Sequence, residues 1–262
     1  MTKKNKRFKL ETVGLTKSFG SKKVLEDLNL QVEDNESLVV LGGSGSGKSV
    51  LIKTIVGLLR PDSGSVLLDG DDITNLSTKG RSNLMSRFGF LFQGGALFDS
   101  LPVWKNISFY LIHNKYISDE EARVIAEEKL HVVGLSKDSL DLYPSELSGG
   151  MQKRVALARA IANDPEIIFF DEPTTGLDPI MKNVISELIS KCRKEFGATT
   201  ITITHDIDTV KSIASKVALL YKGRIVWSGP EHEIYKSGDP IFDQFIHGRI
   251  RGPIKVEGVS EK

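Results

Sequence analysis

One cysteine, no long apolar run and almost no net charge set the first limits on this 262-residue chain. The lone Cys192 excludes an intrachain disulfide and fits a reducing compartment, with filler on a helix face as its expected role. Basic residues number 35 and acidic residues 34, a net charge of +1. The chain as a whole therefore offers no basic field, and no nucleic-acid partner is expected. The apolar runs are short: "IIFF" at 167–170 falls far below the ~18 residues that a membrane-spanning helix requires. The basic start, with Lys3, Lys4, Lys6, Arg7 and Lys9, leads into no apolar stretch and reads as a solubilising segment, not a secretory signal. There is no internal repeat and no heptad run. These absences lead us to expect a cytosolic protein, held at a membrane only if a partner holds it there.

What is present is ordinary in bulk and specific in detail. Hydrophobic content of 40% and charged content of 26% are those of a soluble globular protein, long enough for a full core but not for several large domains. Residues 8–32 contain short β-type segments broken by "FGSKK", an antiparallel pattern. "ESLVVLG" (36–42) is a buried-strand pattern, followed by an apolar helix over 48–59 that Pro61 ends. "SVLLDG" and 88–93 read as further strands. Residues 99–145 change texture: Ser118 and Glu121 form a capping box, and Ala122, Ile125, Ala126, Leu130 and Val133 follow at helical spacing. This stretch reads as an inserted helical subdomain, which runs to about residue 163 with the helix that follows.

Beyond it, strand 166–171, helix 179–196, strand 199–205, a short helix and the hairpin 217–229 alternate. Asp178 and Pro179 cap the longer helix, and Gly197 closes it. The alternation predicts an α/β fold with a mostly parallel sheet covered on both faces. From Gly248 onward the sequence is polar and irregular, a tail expected to be loosely ordered unless docked.

Two glycine turns stand out. "GGSGSGKSV", from Gly42, Gly43, Ser44, Gly45, Ser46 and Gly47 to Lys48, Ser49 and Val50, follows a strand and opens a helix. Its glycines let backbone N–H groups converge on phosphate oxygens, and the helix dipole adds to the pull. Lys48 would reach the β- and γ-phosphates and Ser49 would ligate Mg²⁺. The second turn, "SGG" at Ser148, Gly149 and Gly150, also opens a helix but has no lysine. "IIFFDE" places Asp171 at a strand end, suited to Mg²⁺ through water. The adjacent Glu172 points elsewhere, suited to orienting or deprotonating a water. His205 ends strand 199–205 facing the expected γ-phosphate, and Gln93 closes "FGFLFQ".

In this order the motifs resemble those of ATP-binding subunits of ABC transporters, across residues 8–246. The resemblance implies a P-loop NTPase cassette (1–246) with an N-terminal antiparallel β-subdomain, an inserted helical subdomain and a C-terminal tail (247–262). It makes Phe19 the adenine-stacking aromatic, 42–50 the ATP loop, and Gln93 a Mg²⁺ and water contact. "LSGGM" becomes the signature, Asp171 and Glu172 the metal and base acids, and His205 the switch histidine. It also explains the second turn. Family members pair head to tail as homodimers, so that Ser148, Gly149 and Gly150 contact the γ-phosphate held by the other copy's loop.

The signature ends in Met151 where glutamine is usual. "ELSGGM", "FQGGALFDSLPVWKNI" and the end "FDQFIHGRIRGPIKV" (242–256) are similar to the Mla-type phospholipid-trafficking ATPases. That similarity implies two integral-membrane permease subunits, an MCE-domain lipid-binding protein, in some members a small STAS-domain protein, and the cytoplasmic face of the inner membrane. It also implies that Phe98, Leu101, Val103 and Trp104 border the permease groove, and that the tail, with Arg249, Arg251 and Lys255, reaches the other copy. An importer of small polar solutes and a non-transport ABC ATPase are the rival readings.

Overall fold

The computed structural model describes residues 8–255; Lys3, Lys4, Lys6 and Arg7, read above as solubilising, and residues 256–262 of the tail lie outside the described residues. In chain order the elements begin with β1 (Leu10–Phe19), β2 (Lys22–Val32), β3 (Ser37–Leu41), α1 (Lys48–Ile55), β4 (Ser63–Leu68) and β5 (Asp71–Asp72). Next come α2 (Thr78–Met85), β6 (Phe88–Leu91), α3 (Val103–Tyr110), α4 (Asp119–Val132), α5 (Gly149–Ala160), β7 (Ile167–Asp171) and α6 (Pro179–Phe196). The chain continues through β8 (Thr199–Thr204), α7 (Ile207–Ile213), β9 (Lys216–Tyr221), β10 (Arg224–Pro230) and α8 (Pro240–Ile246). They fall into two compact units. One holds the described residues up to Glu33, Ser37–Asn75 and those from Thr204 onward; the other holds Asp34–Glu36 and Leu76–Ile203.

In the first unit β1 and β2 pair antiparallel from Leu10 opposite Val32 to Phe19 opposite Lys22. The sheet continues in the order β2-β1-β4-β5. Gly20, at φ +58°, makes the turn that "FGSKK" announced. All five residues of β3 are buried, and β3 runs parallel to β9, which turns back into β10. Lys222 (φ +47°) and Gly223 (φ +77°) give that hairpin two left-handed residues, matching the twist of the strands they join. Helix α1 is shorter than the periodicity suggests. It stops at Ile55, not residue 59, because Gly57 turns left-handed at φ +76° well before Pro61.

In the second unit β6, β7 and β8 are parallel, with Phe88 opposite Ile167 and Ile167 opposite Thr199. Ile167 to Phe170 are all buried, the near-continuous apolar run of a strand covered on both faces. The Phe169 ring meets Phe88 edge-on and stacks with Phe90, both at 5.3 Å between centroids. Such aromatic pairs add about 0.5–1.5 kcal/mol each beyond the area they bury.

The helix ends obey local chemistry. Ser118 Oγ accepts the Glu121 N–H at 3.2 Å while a Glu121 carboxylate oxygen accepts the Ser118 N–H at 2.9 Å, closing the expected capping box of α4. Asp178 accepts from Ile180 and Met181, and Gly197 at φ +65° ends α6. Cys192 lies buried on α6, and burial pushes its thiol up to about 12, which makes it an inert filler.

Val103 and Trp104, expected at a partner groove, are core residues instead: they open α3 and are buried. The Arg123 guanidinium lies 5.3 Å from the Trp104 ring and pairs through both nitrogens with Asp141. Phe98 stays exposed at 42%, and Leu101 is half-buried. Asn106, fully buried, shapes that loop. Its Oδ1 accepts the Phe98 N–H at 2.7 Å, and its amide donates to the carbonyls of Phe98 (3.1 Å) and Leu101 (2.8 Å). Asn106→Ala strands these groups, and we expect a loss of about 2–3 kcal/mol in urea unfolding, since an unmade buried hydrogen bond costs about 1–3 kcal/mol. A loss below half a kilocalorie would mean that the loop keeps its shape without Asn106.

Candidate functional site

The glycine loop between β3 and α1 has the form of an anion cradle. Gly42 admits no side chain: a Cβ there would sit 2.5 Å from Ser46 Oγ and 2.7 Å from the Leu220 carbonyl oxygen. Gly47 is held at φ +106°, and its missing Cβ would meet the Val24 carbonyl oxygen at 2.9 Å. On the other side Gly43 and Gly45 face open space, with nothing within 4 Å of a Cβ. A ligand can therefore approach the backbone there. Lys48 is buried to 9% exposure and donates to the Gly42 (2.7 Å) and Gly43 (3.1 Å) carbonyls, which closes the loop over its own ammonium. Ser46 Oγ is buried without a hydrogen-bond partner, and such an atom calls for one that a phosphate oxygen can supply. Ser49 and Val50 start α1, Ser49 exposed and Val50 half-buried.

A cavity of about 430 Å³ adjoins the loop, lined by Gly43–Ser46, Val24, Lys22, Tyr221, Phe245 and Ile254 among others. Phe19 is not among its lining residues. It ends β1, 49% exposed, with the Lys17 ammonium 5.6 Å from its ring centre. His205 follows β8 directly and is exposed, in the turn where Thr204 Oγ1 accepts the Asp206 N–H at 3.1 Å and Asp206 caps α7. Phe245 comes from α8, and Ile254 from the stretch after Gly248 that the sequence reads as loose. Gln244, buried at 4% exposure, accepts the Ile254 N–H at 2.6 Å and donates to the carbonyls of Arg249 (3.1 Å) and Ile254 (3.0 Å). Phe242 stacks on Trp227 at 4.1 Å.

The second unit gathers the other candidates. Asp171 ends β7, half-buried, and Glu172 follows at 8% exposure. Glu172 has φ +47°, a left-handed conformation that is strained for a residue with a side chain and is concentrated at functional sites. Its N–H donates to the Ile203 carbonyl at 2.9 Å, and its carboxylate accepts the Thr175 hydroxyl at 3.3 Å. Gln93 is exposed just after β6, and its carbonyl accepts the Lys153 ammonium of α5.

Ser148 caps α5, its Oγ accepting the Met151 N–H at 3.3 Å. Ser148 and Gly149 are exposed, and a Cβ on Gly149 would meet nothing within 4 Å, so the amides at this helix start are open to an anion. Gly150 packs against Met181, where a Cβ would come within 2.7 Å. Among the described residues no group of three or more His, Cys, Asp or Glu forms a metal cage. The expected donors (the Ser49 hydroxyl, Gln93 and Asp171) are all oxygens, the set that suits Mg²⁺ completed by phosphate and water.

Sequence reasoning missed Lys153, Thr175, Gln244 and the two cavity residues Phe245 and Ile254. "MQKRVALARA" carries two adjacent cations, and nothing local says that Lys153 turns inward. The signal for Gln244 was equally faint: one amide in a polar end.

A protein-family profile described as "ABC transporter" matches residues 25–175. The chain is 42% identical to the probable ribonucleotide transport ATP-binding protein mkl of Mycobacterium leprae, over 97% of this chain and 72% of that protein. It is 39% identical to the intermembrane phospholipid transport system ATP-binding protein MlaF of Haemophilus influenzae, over 95% of this chain and 94% of that one. Among solved structures it is similar to the ATP-binding cassette MJ0796 in a dimeric post-hydrolysis state bound to ADP and Pi. That match has 31% identity and a TM-score of 0.78, and covers 85% of this chain and 98% of the other.

Proposed function

The chain belongs to the ABC transporter family as an ATP-hydrolysing cassette, and from that premise we propose that it is the motor subunit of a system moving phospholipids between membranes. One observation carries the lipid reading. The phospholipid-transport relative aligns nearly end to end, over 95% of one chain and 94% of the other, well beyond the family match at 25–175.

In this reading the amides of 42–47 and Lys48 hold the phosphates, with Phe19 against the base. Ser49, Gln93 and Asp171 would hold Mg²⁺, which when bound neutralises charge on the β- and γ-phosphates. Glu172 orients a water and takes its proton as the water oxygen bonds to the γ-phosphorus. The bond to the β–γ bridging oxygen breaks, and ADP and phosphate result. His205 contacts the γ-phosphate, and Ser148 with the Gly149 and Gly150 amides of a second copy closes the site from the far side. The loop lacks nothing that the second turn must duplicate. The serine–glycine turn needs no lysine because the facing copy supplies Lys48.

The cassette works as a homodimer under two permease subunits, with an MCE-domain protein across the membrane and a STAS-domain protein as a further partner. It sits at the cytoplasmic face of the inner membrane. Among the described residues no helix is long and apolar enough to cross a membrane, so the permeases carry the membrane attachment. Exposed Phe98, on the loop that Asn106 pins, is the contact we assign to them; the tail 247–262 contributes to the dimer.

The test is a pull-down of the tagged full chain from detergent-solubilised membranes, with proteins and lipids identified. Two permease-like proteins, an MCE-domain protein and phospholipid are expected. A soluble solute-binding protein in their place would make the chain a small-solute importer, and ribosomes would make it a non-transport ATPase.

A further inference from the structure

Helix α5 carries one buried and one half-buried cation that both bond to a neighbouring loop. Lys153 lies one turn after the Ser148 cap, 7% exposed, and its ammonium donates to the Gln93 carbonyl. Arg159, on the same helix, donates to the carbonyls of Gly95 and Ala96, each at 2.6 Å. The backbone of 93–96 thus hangs from two side chains of α5 by three charge-assisted bonds, each roughly twice as strong as a neutral one. β6 and β7 run parallel with Leu91 opposite Phe170, so Gln93 and the Asp171–Glu172 pair follow neighbouring strand ends. Burial lowers the ammonium from its ordinary range, and Asp171 and then Glu172 work against that shift. A buried ammonium is costly unless partners compensate it, and here a carbonyl and two acids do so.

We propose that Lys153 is a positioning residue for ATP hydrolysis, holding the Gln93 backbone and the Asp171–Glu172 strand end in one frame with the serine–glycine turn of its own helix. The inference rests on the roles given above to Gln93, Asp171 and Glu172. Its physical content is a shared anchor. A single ammonium bonds the segment expected to contact the metal, beside the strand end that carries the acid expected to activate water, from the helix whose start faces the other copy's nucleotide. Loss of the charge lets these pieces settle independently. A misplacement of about 1 Å is enough to cost on the order of 10²-fold in rate. Ground-state binding of ATP, made by the loop at 42–49, does not pass through this anchor.

The experiment is steady-state hydrolysis and fluorescent-nucleotide binding on the full chain in the membrane complex it pulls down, with Lys153→Met, Lys153→Gln and Lys153→Arg. We expect kcat to fall about 10–100-fold in the Met and Gln variants with KM and nucleotide affinity within about threefold of wild type. Arg, which keeps the charge and the donors, should stay within about fivefold of wild-type kcat. Wild-type kcat in Lys153→Met, or a raised KM with unchanged kcat, overturns the proposal. Where Lys153→Met yields no folded protein, Gln against Arg decides: equal rates overturn it. Glu172→Gln serves as the internal reference. If that variant is dead while Lys153→Met is fully active, the anchor fails and the catalytic reading stands; if Glu172→Gln is itself active, the catalytic reading fails first.

Discussion

Glu172→Gln should bind Mg²⁺-ATP as the wild type does and turn it over about 10²–10⁴-fold more slowly, the usual worth of a positioned base. The amide keeps the size of the side chain and an oxygen to accept the Thr175 hydroxyl, which lies 3.3 Å from the carboxylate. The Glu172 N–H keeps its bond to the Ile203 carbonyl. What is lost is the lone pair able to take a proton. The strained backbone, φ +47°, persists in the variant because the fold, not the carboxylate, imposes it. Binding by a fluorescent ATP analogue and single-turnover release of phosphate would separate the two effects, since a transition-state interaction lowers kcat and kcat/KM together. A further expectation is accumulation of the ATP-bound dimer, because each bound nucleotide favours the closed state and hydrolysis no longer removes it. Wild-type turnover would take Glu172 out of its role.

Lys48→Ala and Ser148→Arg should each abolish hydrolysis, and an equimolar mixture of the two should recover part of it. The losses have different causes. Lys48 holds the Gly42 and Gly43 carbonyls and is the cation proposed for the phosphates, so its removal should loosen the loop and weaken ATP binding. Ser148 lies exposed at the start of α5, and an arginine there obstructs the facing copy's γ-phosphate while leaving ATP binding by the monomer intact. The cap that Ser148 gives to Met151 is worth about 1 kcal/mol, too little to unfold the chain. In a mixed dimer one site combines the intact loop of one copy with the intact turn of the other, while the second site carries both lesions. Recovery in the mixture, with mixed dimers demonstrated by two affinity tags, is the signature of a shared site. Silence from dimers proven to be mixed would contradict the head-to-tail arrangement.

The parts of the site legible in the sequence are those whose chemistry is complete within a few residues. The loop at 42–49 needs glycines at fixed offsets, and their geometry obeys: Gly42 and Gly47 stand where a Cβ would collide with backbone, and Gly45 is left-handed. The caps at Ser118, Asp178 and Ser148 likewise depend on N–H groups two or three residues ahead. The apolar runs of β3 and β7 announced strands covered on both faces, and both are buried nearly throughout.

Elsewhere local reading met residues whose fate depends on distant neighbours. Val103 and Trp104 read as a surface for a partner because the segment is rich in apolar side chains and resembles one that borders a permease groove, yet both open α3 and are buried, with Arg123 of α4 over the Trp104 ring. Helix α1 ended early at a left-handed glycine that the apolar periodicity ran straight through. The C-terminal stretch seemed loose because it is polar, but one buried glutamine clasps it across ten residues.

By itself the sequence determined the glycine loop between β3 and α1, the serine-capped, lysine-free turn that opens α5 and the adjacent acids at the end of β7, because glycine conformation, helix capping and strand patterning act over spans of two to four residues. Tertiary structure alone decided that Lys153 turns inward to Gln93, sixty positions away, and that Gln244 brings Phe245 and Ile254 to the cavity beside the loop. Those outcomes come from packing and desolvation among segments far apart in the chain, where a charged or amide side chain is buried only if its partner is already in place.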